Sequence, residues 1–93
     1  MIGAVSIKYP EGEIDAVYFG LDICNIRRVE DKLLIKLDSG GEICLKIAPI
    51  YESDGSRIIA KIRKAVREDE YRTVDFVVNP KKEIVYWGID YDH

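Results

Sequence analysis

Glutamine is missing from the chain, histidine occurs once, at the last position, and cysteine occurs only at Cys24 and Cys44. Each scarcity removes a class of chemistry. With His93 the sole imidazole, no serine or cysteine has a histidine base in prospect, so triad-type catalysis is excluded. Neither cysteine belongs to a CxxC pair or has a histidine nearby, so metal-ligand spacing is lacking, and neither a metal nor a cofactor is expected. No apolar run approaches the ~20 residues a bilayer-spanning helix needs. The start, Met1 to Lys8, lacks the basic, apolar and small-residue regions of a secretory signal. The expectation is a cytoplasmic protein without membrane contact. Ser53-Asp54-Gly55-Ser56 carries no Gly-Lys-Ser/Thr, so it is not a phosphate loop; helix capping accounts for these residues. The missing glutamine, only two asparagines (Asn25 and Asn79) and many Lys and Glu residues lean toward a thermophilic source.

What is present describes a folded domain. The chain has 93 residues, 47% of them hydrophobic and 33% charged, which fits one globular domain over 1–93. The net charge of −3 argues against bulk attraction to nucleic acid or anionic membrane, while leaving room for a local basic patch.

Alternation of apolar and polar residues predicts a mostly antiparallel sheet. Ile2–Tyr9 and Ile14–Leu21 flank Pro10-Glu11-Gly12-Glu13, and setting Val5 and Ile7 opposite Phe19 and Val17 gives one apolar face. Ile23–Val29 continues the second strand after a bend at Gly20. The next register sets Cys24, Ile26 and Arg28 opposite Leu37, Ile35 and Leu33. A three-residue loop at Ser39-Gly40-Gly41 then pairs Leu37 with Ile43, Ile35 with Leu45 and Leu33 with Ile47. This register puts Cys24 on the core face and Cys44 on the other face, across from Lys36, so a disulfide is excluded and two free thiols are expected. Lys36 has the right charge to activate Cys44, but with no histidine or helix N-terminus near it an unreactive thiol is the simpler reading.

After Pro49 the period changes. Ile58, Ile59, Ile62, Ala65 and Val66 recur at helical spacing and predict one amphipathic helix over about 56–68, packed on the apolar sheet face. Two strands, Tyr71–Val78 and Glu83–Asp90, close the chain around Asn79-Pro80-Lys81-Lys82. Val74, Phe76 and Val78 face Trp87, Val85 and Glu83 in that reading. The fold class is therefore α+β: a mostly antiparallel sheet of six or seven strands, open or partly closed as an OB-like barrel, with one covering helix.

The candidate sites follow from the faces. Arg27, Lys36 and Lys46 share the outer face of the central strands, and in an OB-like barrel would track a single-stranded nucleic acid. The stacking aromatics such a surface uses are missing there, so a solvated face is the competing reading. Arg57, Lys61 and Lys64 form a cationic helix stripe, balanced by Glu68 four residues after Lys64. Asp75, Asp90, Asp15 and Glu13 are not paired with one another, and no enzyme activity is expected. Val77, Ile84 and Tyr86 form an apolar strip facing away from the helix, of a kind monomers rarely expose. The preferred function is thus a non-enzymatic interaction module, forming a homo-oligomer or binding a protein partner through the C-terminal hairpin. The alternative is nucleic-acid binding through Arg27, Lys36 and Lys46.

Overall fold

The computed structural model describes residues 1–47 and 55–91. It shows a seven-stranded mixed sheet and one helix: β1 (Ile2–Lys8), β2 (Ile14–Phe19), β3 (Ile23–Val29), β4 (Lys32–Leu37), β5 (Glu42–Ile47), α1 (Gly55–Arg67), β6 (Arg72–Val78) and β7 (Glu83–Tyr91). The strand order is β2-β1-β6-β7-β5-β4-β3. The α+β class and the helix agree with the sequence reading. The sheet is neither purely antiparallel nor a closed barrel, because β1 pairs with β6, and β5 with β7, in parallel.

The end of α1 explains one parallel pair. The Met1 nitrogen donates to the carbonyl oxygens of Ala65, Glu68 and Glu70, so the helix ends where β1 begins. The chain then enters β6 beside the start of β1, with Ile2 opposite Arg72, and has to run alongside it. The C-terminal hairpin is thereby inserted between β1 and β5.

The two edges of the sheet, β2 and β3, are one run of chain interrupted only by a 3-10 turn at Gly20–Asp22. They run in the same sense, so the chain passes from one edge to the other without reversing. Three residues cannot cross a flat sheet of seven strands spaced about 4.8 Å apart. The sheet must coil until its edges approach at this turn. The interior of the coil holds Val5, Ile7, Leu33, Ile35, Leu45, Ile47, Val74, Phe76, Val78 and Ile84, closed over by Ile58, Ile59 and Ile62 of the helix. Val66, at the end of the helical stripe, stays exposed.

Several registers differ from the sequence reading, and each difference has a local cause. In β1–β2 the pairing is one residue off: Val5 faces Tyr18 and Ile7 faces Ala16, which turns Val17 and Phe19 outward. The shift follows from a tight Pro10-Glu11-Gly12 loop and a bulge at Asp15. In β3–β4, Ile26 and Arg28 pair as expected. A bulge at Cys24 gives Ile23 the place opposite Leu37, so Cys24 is exposed and not on the core face. In β4–β5 the register slides by two, pairing Leu33 with Leu45 and Ile35 with Ile43; the faces survive, but Cys44 sits across from Leu34 and not Lys36. Its cause is the loop, which is Asp38-Ser39-Gly40 closed by Leu37 and Gly41, with Gly40 in the left-handed region at φ 93°. In β6–β7 Phe76 faces Trp87 and Asp75 faces Gly88, not Tyr86. A bulge at Val85 then brings Ile84 opposite Val78. Residues 52–54, where the expected helix cap and the serine-rich turn fall, lie outside the described residues, as do Asp92 and His93.

Candidate functional site

The face of the sheet turned away from α1 is sorted into two halves. Across β2-β1-β6-β7 the large outward side chains are Ile14, Val17, Phe19, Val77 and Tyr86, interrupted by Lys8 and Asp75. Across β5-β4-β3 the outward positions carry Glu42, Lys46, Lys32, Lys36 and Arg27 among Cys44, Leu34, Asn25 and Val29.

The apolar half contains two of the three strip residues expected from sequence. Tyr86 is 64% exposed and Val77 is half-buried beside it. Ile84 does not belong there. The bulge at Val85 moves it to the inner face, where only 1% of its surface remains exposed. Sequence reasoning missed Phe19, which is 64% exposed, and Val17, because it turned β2 over by one residue; Ile14 faces outward in either register. Two glycines shape this half. A Cβ on Gly3 would come within 3.3 Å of the Tyr71 ring, and one on Gly88 within 3.6 Å of the Tyr86 hydroxyl, so both rings lean over backbone that has no side chain.

The charged half brings Arg27, Lys36 and Lys46 onto one face, as expected. Two of them stand near carboxylates: Arg27 lies 3.7 Å from Glu42 and Lys46 lies 3.8 Å from Asp31. Both are exposed contacts, worth little in stability, but they lower the positive charge that the face presents. No aromatic side chain is interleaved on these three strands. Both cysteines are free and exposed. On the helix, Arg57, Lys61 and Lys64 line a shallow hollow with Trp87 and Arg72. Glu68 is committed to Arg72 instead of Lys64, and Arg72 also bonds Glu70 at 2.9 Å. These carboxylates hold the nearly buried guanidinium's pKa above its ordinary value, first through the Glu70 hydrogen bond and despite desolvation.

A further cluster was invisible in the sequence. Lys82 Nζ donates to the Asp15 carboxylate and, at 2.9 Å, to the Tyr9 hydroxyl, which donates in turn to Asp15 at 3.2 Å. The Lys82 hydrogen bond holds the Asp15 carboxyl below its usual range, and the Asp15 hydrogen bond holds the Lys82 ammonium above its own. The cluster clasps the β1–β2 loop to the β6–β7 loop. Among the described residues no group of three or more His, Cys, Asp or Glu side chains is placed to hold a metal ion, and no helix is long and apolar enough to cross a membrane.

Compared with known protein families, with curated proteins and with solved structures, the chain has no match.

Proposed function

We propose that the domain is a non-enzymatic self-association module, in which the apolar half of the outer face packs against the same half of a second copy. The sorting of that face carries the reading. Phe19, Val17 and Ile14 on β2 share one face with Val77 on β6 and Tyr86 on β7, with β1 between them, while α1 lies on the opposite side of the sheet. Large apolar side chains left exposed on one face of a sheet mark association sites. A second copy is the occupant that the arrangement favours, because a two-fold axis pairs one apolar patch with itself and leaves both charged halves in water. Sheets also pack face to face in this manner in β-sandwiches.

The scale of the face sets the expected strength. Four strands about 4.8 Å apart and about seven residues long give a plan area on the order of 400 Å² per copy. That is small beside the ~800 Å² per partner of a standard interface, so association in the micromolar range is expected. Light scattering from 10 to 500 μM (range set by that estimate) should show the mass rising from 10.7 kDa toward twice that value. The double substitution Phe19→Asp and Tyr86→Asp should keep the chain monomeric with its circular dichroism unchanged. A wild-type chain that stays monomeric throughout overturns the reading. Nucleic-acid binding through Arg27, Lys36 and Lys46 has weaker support, since two of these cations stand beside carboxylates and no aromatic accompanies them.

A further inference from the structure

The coiled sheet leaves a seam where its two edges separate, and this seam has the features of a binding groove. It is open to solvent along its length and has a volume of about 620 Å³, within the ~300–1,000 Å³ of ligand sites. One wall is β3, from Ile23 through Arg27. The other is built from Met1, Ile2 and Gly20, with Ile62, Arg63, Val66 and Arg67 of the helix.

Two observations say what such a groove accepts. First, Ile23, Cys24, Asn25, Ile26 and Arg27 are consecutive. Despite the bulge at Cys24 the run includes both faces of the strand, Ile23 and Ile26 from the inner side and Asn25 and Arg27 from the outer, so the strand's edge itself forms the wall. Among the described residues β3 is the last strand of the sheet and pairs with β4 alone, so its other edge presents backbone N–H and C=O groups that have no ladder partner there. Another extended backbone is the partner that satisfies such a row. Second, the groove is lined by both apolar and cationic side chains. Ile2, Ile23, Ile26, Ile62 and the exposed Val66 supply the apolar lining, and Arg27, Arg63 and Arg67 the charge. Arg63 and Arg67 are one helical turn apart, and among the described residues neither has a carboxylate within 4.0 Å.

We infer that the seam binds an extended, acidic segment of a partner protein, which adds to β3 as an eighth strand. Its backbone completes the ladder on β3. Its inward side chains are aliphatic and meet Ile26, Ile62 and Val66. Its acidic side chains meet Arg63 and Arg67, which as guanidinium groups bind carboxylates with two parallel hydrogen bonds. This site is on the helix side of the sheet and is separate from the self-association face, so either can fail without the other.

The test uses the full chain and three synthetic peptides of seven residues: one alternating Glu with Val and Ile, one with Lys in place of Glu, and one acidic copy N-methylated at alternate residues. Amide shifts in ¹⁵N spectra and hydrogen exchange are the readouts. The acidic peptide should shift and protect amides of residues 23–27, and the lysine peptide should bind at least tenfold more weakly. The N-methylated copy, which cannot form the ladder, should not bind. Arg63→Glu with Arg67→Glu should weaken the acidic peptide at least tenfold and restore the lysine peptide, while the amide spectrum shows a folded chain. Equal binding of the acidic and lysine peptides overturns the inference. So does binding of the N-methylated copy, or binding of dodecanoate at the same amides where the acidic peptide fails, since both indicate a pocket for an apolar anion and not a strand site. No shift at millimolar peptide overturns it as well.

Discussion

Lys82 adopts a left-handed backbone conformation, φ 62°, in a three-residue loop of the kind that Gly12 and Gly40 serve elsewhere in the sheet. A lysine there pays a steric penalty of the order of 1 kcal/mol that glycine avoids. The clasp to Asp15 and Tyr9 offsets it. Asp15 is free to join because the bulge in β2 takes it out of the ladder. The charge state of this clasp makes stability depend on pH. The Asp15 carboxyl is held below its ordinary value near 3.8, so its contribution is present above that pH and is lost as pH falls through the lower, folded-state value. Lys82 is held above 10.5, so its contribution is lost only as pH rises beyond that. Asp15→Asn should therefore lower Tm by a constant amount from pH 6 to 9 (well between the two ordinary values), and the gap should close in acid as pH falls below the ordinary carboxyl value of 3.8. A gap that persists undiminished in acid contradicts the clasp. The bulge at Cys24 has its own chemical readout. With both thiols exposed, Cys24 and Cys44 should react with a thiol reagent in the folded chain at comparable rates, whereas protection of Cys24 would return it to the core face. Bulges and left-handed lysines leave no mark in an alternation pattern, which is why Cys24 and Ile84 were turned over in the sequence reading.

At the scale of elements, the joint between β2 and β3 matters most. A Cβ added to Gly20 would lie 1.9 Å from the carbonyl oxygen of Ile2, which is backbone and cannot swing aside. The bent strand can pass across β1 only with glycine at that point. Gly20→Ala should destabilise the fold by about 2–4 kcal/mol, the range of large steric defects. An alanine variant of wild-type stability would show that the joint is looser than drawn. The bend at Gly20 was legible in the sequence, as were the helix, from its isoleucine spacing, and all seven strands, from alternation. Faces survived wherever a register slipped by two, as in β4–β5, because the side-chain period is two. They inverted where it slipped by one, as in β1–β2. Which strands run parallel was not legible: alternation records a face, and direction was decided by where α1 ends relative to Met1.

For the whole molecule, coiling divides the surface into distinct environments. The inner face is filled by aliphatic side chains and Phe76, the outer face is half apolar and half charged, and the seam between the edges stays open. The apolar strip was legible at Tyr86 and Val77, but its larger part, on β2, came from a pairing that sequence alone did not fix. The seam was not legible at all, since it arises from residues as far apart as Ile2, Ile26 and Val66.

Self-association through the β2-β1-β6-β7 face is the claim on which the functional account rests. Its most direct test is an isotope-filtered NOE experiment on an equal mixture of ¹³C-labelled and unlabelled chains at millimolar concentration. Intermolecular contacts should connect the Phe19 and Tyr86 rings of one copy with Ile14, Val17 and Val77 methyls of the other. A dimer whose intermolecular contacts arise instead at Ile26, Ile62 or Val66, or a mixture with no intermolecular contact, would contradict it.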